Sequence, residues 1–323
     1  MIIKKIIFAV FLSFLVILGS WYYHNQTAKN IVSGVIKNPE TSLTSYQGRT
    51  NILLLGMGGE GHDGGDLTDS MLFISLNISS SSATIISIPR DIWVPSMEAK
   101  INTAYHYGNE RRTGGGLALA KSAVSETLGV PVHYAIALDF QGFVKAIDAL
   151  GGIDVMVEHT FDDYKYPIPG METAIPESAR YEHIHFDAGL MHMDGTTALK
   201  FARSRHALGD EGTDFARGVR QAKIITSFRD KSLSTSTIFS SETLSNLKSS
   251  ITSSIDSDIG EVEQGGLFKV LIGLGSKDNI KNISITDYLL NPKSAKPYAG
   301  QWVLLPSPSS KDLQDYVKEN LGK

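Results

Sequence analysis

Short apolar runs and stretches of helical spacing alternate along most of this chain. Asn51–Leu55, Met71–Asn77 and Ala83–Ile88 are apolar runs ended by glycine, serine or proline, the pattern of strands buried on both faces. Gly116–Leu128 has helical spacing, His133–Leu138 predicts a strand, Phe140–Leu150 a helix stopped by Gly151-Gly152, and Ile153–Val157 another strand. Strands alternating with helices in this way predict an α/β fold, a three-layer α/β/α sandwich with a central mixed sheet. Periodicity fails between Glu158 and Phe186, where Pro167, Pro169 and Pro176 predict a long functional loop. Past Lys231 the chain is rich in Ser and Thr, yet Ile238, Phe239, Leu244, Leu247 and Ile251 keep largely helical spacing and predict helix plus turns. Asn282–Ile285 and Trp302–Leu305 read as late strands, and Lys311–Leu321 as a terminal helix.

The N-terminus has a different pattern. Residues 1–5 carry Lys4 and Lys5, and Ile6–Tyr23 is then apolar but for Ser13, Gly19 and Ser20. At about 1.5 Å per residue that run is just long enough to span a bilayer, with Trp21, Tyr22 and Tyr23 at the far interface. Lysines before the run place residues 1–5 in the cytoplasm. No small-x-small site follows, so residues 6–23 read as a retained transmembrane signal anchor rather than a cleaved signal peptide. Residues 24–48, polar and aperiodic, read as an extracytoplasmic stalk, and 49–323 as one catalytic domain at the outer surface of the cell membrane.

This placement restricts the chemistry. Outside the cell neither ATP nor NAD is at hand, and the chain has no cysteine for disulfides or thiolate sites. With a formal net charge of −4 it has no basic character to suggest a nucleic-acid partner. Against that charge, one stretch concentrates cations: Arg203-Ser204-Arg205, then Asp214-Phe215-Ala216-Arg217-Gly218-Val219-Arg220-Gln221. Arg is the side chain whose planar fork best matches phosphate, and like charges this close repel unless an anion joins them. If Asp214 opens a helix, about 100° per residue puts Asp214, Arg217 and Gln221 on one face and turns Arg220 away. Asp214 and Arg217 as a solvated i,i+3 pair is the plainer alternative. Any phosphate bound here should arrive on a lipid or a polymer.

Other motifs are weaker. Gly56-Met57-Gly58-Gly59-Glu60-Gly61 satisfies G-x-G-x-x-G, but the glycines run on through Gly64-Gly65 into a strand, and a dinucleotide site needs a helix N-terminus there. The loop does hold His62 and the carboxylates Asp63, Asp66 and Asp69, which are either hard oxygen ligands for a divalent ion or part of a solvated turn. Ser87-Ile88-Pro89-Arg90-Asp91 ends a strand in a proline and presents Arg90 and Asp91 where α/β folds gather ligands. His183, His185 and His192 lack a consistent set of further zinc ligands and read as hydrogen-bonded surface histidines. No G-x-S-x-G elbow supports serine hydrolase chemistry.

Taken in order, the motifs resemble the LytR-CpsA-Psr family over about residues 50–230. The resemblance rests on Asn51–Leu55, Leu67-Thr68-Asp69-Ser70, Ile88-Pro89-Arg90-Asp91, Lys100-Ile101-Asn102-Thr103-Ala104-Tyr105, Asp139-Phe140-x-Gly142-Phe143, Ala149-Leu150-Gly151-Gly152-Ile153, Asp194-Gly195-x-x-Ala198-Leu199, Arg203-x-Arg205 and Asp214–Gln221. It implies a membrane-anchored phosphotransferase that moves a glycopolymer from a polyprenyl pyrophosphate carrier to peptidoglycan through a phosphodiester. It further implies that Asp69 helps hold Mg²⁺ or Mn²⁺. Arg90, Arg203, Arg205, Arg217 and Gln221 would grip the pyrophosphate, with Arg220 and Lys100 as further substrate contacts, Asp91 beside the reacting groups and an apolar pocket for the lipid. Two positions depart from the family: Leu67 stands where an Arg is usual, and Gly56-Met57-Gly58 where an Asp is usual. His62 and either Asp63 or Asp66 are the expected replacements. A polyprenyl pyrophosphate hydrolase, or a non-catalytic lipid- or glycopolymer-binding module, would use the same site.

Overall fold

A computed structural model of the chain describes residues 26–59, 64–80, 82–171, 173–232, 234, 255–274 and 279–322. The expected anchor at 6–23, the pair His62 and Asp63, and nearly all of the Ser/Thr-rich stretch 232–254 lie outside them. Among the described residues no helix is long and apolar enough to cross a membrane.

At the centre is a mixed six-stranded sheet. Its middle is an antiparallel meander of β1 (Arg49–Met57), β2 (Thr68–Asn77) and β3 (Ser82–Ser87). β6 (Tyr134–Asp139) joins β1 in parallel and β12 (Ile280–Ile283) joins β3 in parallel, while β11 (Ile255–Ser257) closes the β6 edge antiparallel. Both faces of β1, β2 and β3 carry buried apolar residues. Leu53, Leu55, Met71, Phe73 and Ile86 enter one core with helices α4 (Gly116–Leu128) and α9 (Ser310–Gly322). The alternate positions Ile52, Leu72 and Ile85 face two other clusters, made with α8 (Glu261–Gly273) and with Ala222 and Ile225 of α7 (Asp214–Ser232). Period-two alternation with both sets apolar accounts for helices on both sides of the sheet. Burying one such Leu or Phe stabilises by about 1.5–3 kcal/mol.

Three segments differ from the sequence reading. Residues 26–36, read as stalk, form helix α1, which packs on α8 so closely that a Cβ at Gly34 would meet the Val262 carbonyl, and one at Gly265 the Ile31 carbonyl. Polar surface residues conceal a contact made by glycines. Residues 161–186, read as loop, contain an antiparallel hairpin of β8 (Phe161–Pro167) and β9 (Tyr181–Phe186). Its alternation is hidden because the inward position after Phe161 is Asp163, and because the register shifts between Asp163 and Tyr166. Trp302–Leu305 yields only a bridge from Leu304 to Ile92 and a two-residue ladder at Leu305–Pro306, where proline has no N–H to extend it.

The hairpin, with β7 (Ile153–Val157), β10 (Gly189–Met193) and α6 (Gly195–Arg203), has its own core around Phe161, Phe186 and Phe201. This second core lies along α7 and supplies one wall of the site described next.

Candidate active site

The site forms where β1 ends, β2 begins and β3 ends. α7 reaches it because Gly218 lies against β3; a Cβ there would come within 2.8 Å of Ser87 Cβ, inside van der Waals contact. Helical periodicity then works as the sequence predicts for two residues. Arg217 lines a cavity of about 250 Å³, and Gln221, one turn on, donates from Nε2 to Ser70 Oγ at 3.0 Å.

That cavity collects Asp69, Ser70, Phe140, Lys165, Arg203, Arg205, His206 and Arg217. Arg203 is the last residue of α6, and its guanidinium lies 4.0 Å from the centre of the Phe140 ring and donates to Tyr166 Oη at 3.3 Å. Such stacking fixes the plane of a guanidinium, leaving its remaining edge for a ligand.

Asp163 organises the turn that follows. Its carboxylate is fully buried; Oδ2 accepts from Ser204 Oγ at 2.8 Å and from the backbone N–H groups of His206 and Arg205 at 3.1 and 3.2 Å. Oδ1 accepts from Lys165 N at 2.9 Å. Burying a carboxylate is costly unless it is hydrogen-bonded, and four donors offset that cost here. One side chain thereby fixes both Arg205 and Lys165 at the cavity.

Asp69 and Arg90 form an ion pair at 2.6 Å, with side chains 47% and 31% exposed. Burial of Arg90 works against its charge, but Asp69 and then Asp91 outweigh it and hold its pKa above the ordinary guanidinium value. Arg90 Nε is buried and faces Asp91 Oδ2 at 3.6 Å, an ion-pair contact just beyond hydrogen-bond distance.

Other expected residues are placed elsewhere. Arg220 is 2% exposed: it donates to the carbonyls of Phe201, Ser204 and Glu211 and pairs with Glu211 Oε2 at 2.7 Å, so it braces the arginine turn from behind and lies outside the lining of that cavity. Lys100 and Asp91 pair with each other at 2.7 Å beside Arg90 and outside the cavity lining. Asp66 is held by His106 Nδ1 at 2.5 Å, likewise outside that lining. His183 and His185 bond to Asp162, and His192 to Asp154.

A second, apolar slot of about 80 Å³ opens from the same place, lined by Leu54, Leu72, Leu138, Phe143, Leu199, Ile224 and Ile225. Ser70, Phe140 and Arg203 line both spaces. Asp139, in register with Met57 where β6 flanks β1, also borders the slot, and its Oδ1 caps α5 (Phe140–Ala149) by accepting from Gly142 N at 2.7 Å. The carboxylate that the neighbouring parallel strand sets beside Met57 is thus engaged in capping.

Asp163, Lys165, Tyr166 and His206 were not legible as site residues. They belong to the hairpin without hydrophobic period and the turn tied to it, and only the Arg203-x-Arg205 motif marked the neighbourhood.

Fold and site define a class: an α/β protein with a cationic cavity at the ends of its central strands, beside an apolar slot that shares part of its lining. Residues 18–308 match the model of the LytR_cpsA_psr family, and the chain belongs to that family. It is similar to the polyisoprenyl-teichoic acid–peptidoglycan teichoic acid transferase TagU of Bacillus anthracis, 31% identical over 255 residues that cover 73% of this chain and 74% of that protein. In fold it resembles the crystal structure of B. subtilis TagV, with a TM-score of 0.59 and 24% identity over 86% of this chain and 99% of that one. TagT bound to LI-WTA also has a TM-score of 0.59, with 21% identity, covering 87% of this chain and 94% of that one.

Proposed function

We propose that this chain is a membrane-anchored phosphotransferase. It moves a glycopolymer of the teichoic acid kind from a polyprenyl pyrophosphate carrier to peptidoglycan, with its catalytic domain outside the cell. The observation that carries this reading is Arg203: stacked on Phe140, it borders the cationic cavity on one side and the apolar slot on the other. A ligand that fills both spaces is an anion joined to a hydrocarbon, which describes a prenyl pyrophosphate.

The slot is smaller than the ~150 Å³ of a cavity that takes up benzene, so lipid entry requires its lining side chains to move apart. The pyrophosphate then lies against Arg203, Arg205 and Arg217, with Lys165 at the rim. In the transfer, an acceptor hydroxyl oxygen forms a bond to the phosphorus bearing the glycan, and the bond from that phosphorus to the bridging oxygen breaks. Polyprenyl phosphate leaves with the bond electrons, and the acceptor proton passes to water. Positioning and charge stabilisation account for most catalysis of this kind, and fixed guanidinium groups supply both.

Asp69 fits a divalent ion, because Mg²⁺ is commonly bound through one or two carboxylates plus phosphate oxygens, and Asp69 with Ser70 presents oxygens to the cavity. Such an ion supplies charge neutralisation at the phosphate oxygens. Among the described residues no group of three or more His, Cys, Asp or Glu could hold a metal ion. To bind it, Asp69 would give up part of its contact with Arg90, releasing that guanidinium toward the phosphate.

The test is full-length protein in detergent with a lipid-linked polymer and peptidoglycan. The reading predicts polymer joined to peptidoglycan by a phosphodiester and stoichiometric polyprenyl phosphate. Free polymer phosphate without linkage would make the chain a hydrolase, and binding without turnover a non-catalytic module.

A further inference from the structure

A further cavity lies outside the pyrophosphate site. It measures about 630 Å³ and is open to solvent between the β7–β8 turn and the first three turns of α7. Its floor is Phe161 and Phe201, and its rim carries Phe215, Glu158, Asp210 and Lys223. Phe215 is 51% exposed, a large aromatic face left to water at the start of a helix.

Two features tie this cavity to the reaction. The segment 205–213 is a shared wall: Arg205 and His206 line the pyrophosphate cavity, and Asp210, Glu211 and Thr213 line this one. At the helix start, Phe215 borders both this cavity and a crevice over the end of β3, and Arg217 borders that crevice and the pyrophosphate cavity. A ligand seated here is one wall away from the reacting phosphorus, on the flank of α7 away from Gln221, Ile224 and Ile225, which face the apolar slot.

The lining identifies the ligand. Glu158 pairs with Lys223 at 2.8 Å and Glu211 with Arg220 at 2.7 Å, leaving Asp210 as one uncompensated carboxylate. Walls of ion pairs exclude a lipid, and an excess carboxylate disfavours a polyanionic polymer. An aromatic face beside fixed carboxylate and ammonium groups instead suits the apolar ring face and hydroxyl edges of a sugar. The volume is within the ~300–1,000 Å³ of small-ligand sites.

We propose that this cavity binds a saccharide segment of the peptidoglycan acceptor, stacked on Phe215 and hydrogen-bonded by Glu158 and Lys223. The proposal rests on the transferase reading for its role in the reaction, but the binding itself does not. The probe is a lipid-free peptidoglycan tetrasaccharide, titrated into the full-length protein in detergent by calorimetry, with no donor present. Wild type and Arg203→Ala should bind it alike, whereas Phe215→Ala should weaken binding about tenfold and Lys223→Met about fivefold. In turnover, Phe215→Ala should raise KM for acceptor and leave KM for the lipid-linked donor unchanged. Because Phe215 is half exposed, its truncation does not empty the core, and an unchanged unfolding midpoint verifies this. No binding by wild type, or wild-type affinity in both Phe215→Ala and Lys223→Met, would overturn the proposal. A donor KM that rises in Phe215→Ala while acceptor KM stays fixed would also overturn it, by assigning the cavity to the donor polymer. Tetrasaccharide binding that is sensitive to Phe215, in a protein with no transfer activity, would uphold the site and reject the transferase.

Discussion

The buried carboxylate of Asp163 accepts the hydroxyl of Ser204 at 2.8 Å, and through it a strand of the hairpin grips the turn between the two arginines of Arg203-x-Arg205. Removing that carboxylate leaves the Ser204 hydroxyl and the N–H groups of Arg205 and His206 without their acceptor. Asp163→Ala should therefore destabilise the domain by on the order of 3 kcal/mol and raise KM for the donor. Asp163→Asn keeps an acceptor oxygen and should recover a large part of both. Denaturant unfolding with donor kinetics reads the two effects; equal stability and KM in Asp163→Ala and wild type would contradict the role assigned to Asp163.

Arg203 stacks on Phe140 and reaches Tyr166 Oη, so its use depends on a planar cation. Arg203→Lys keeps the charge and loses the plane. Transfer should fall on the order of 100-fold, as for loss of one preorganised donor at a reacting centre, with little change in stability. Near-wild-type kcat/KM in Arg203→Lys would show that charge alone suffices.

Gly218 brings α7 against β3. In Gly218→Ala the new methyl would meet Ser87 Cβ at 2.8 Å, pushing the helix outward and carrying Arg217 and Gln221 with it. We expect a loss of about 1–3 kcal/mol and reduced transfer. Ser87→Gly in the same chain removes the opposing atom and should restore much of each. Thermal unfolding of the single and double variants checks this, and failure of the double variant to recover would place the effect elsewhere.

The hairpin should respond to pH. His185 is held above the ordinary histidine value by its hydrogen bond to Asp162 and then by Asp187, and Asp162 is held below the ordinary carboxylate value by His185 and then His183. A raised histidine stabilises fully below its unfolded value, about 6.5, and loses that contribution as pH rises through its folded value. A depressed aspartate stabilises above about 3.9 and loses its contribution as pH falls through its folded value. Amide-exchange protection of β8 and β9 should thus be greatest between about pH 4 and 6.5 and decline on either side. In Asp162→Asn the profile should flatten; an unaltered profile would exclude this pair as its source.

The sheet was legible because both faces of β1, β2 and β3 carry apolar residues, and Gly151-Gly152 and the other punctuating residues marked the ends of elements. The arginines were legible because local spacing carries charge density: Arg203, Arg205 and Arg217 do share one cavity, and helical periodicity turned Arg220 away from Arg217. What local pattern does not carry is a polar residue at an inward position. Asp163 looks like a loop residue in sequence and is a fully buried anchor in the fold, and with it Lys165 and Tyr166 were lost from view. Asp91 and Lys100 illustrate the reverse: adjacent in sequence to functional motifs, they satisfy each other beside the site.

The central claim is that one ligand joins the cationic cavity to the apolar slot. Mass spectrometry of lipid retained by the full-length protein on gentle detergent extraction tests it most directly. The account predicts a polyprenyl pyrophosphate-linked saccharide in wild type and its loss in Arg203→Ala. Wild type that retains no prenyl lipid, or Arg203→Ala that retains as much as wild type, would contradict it.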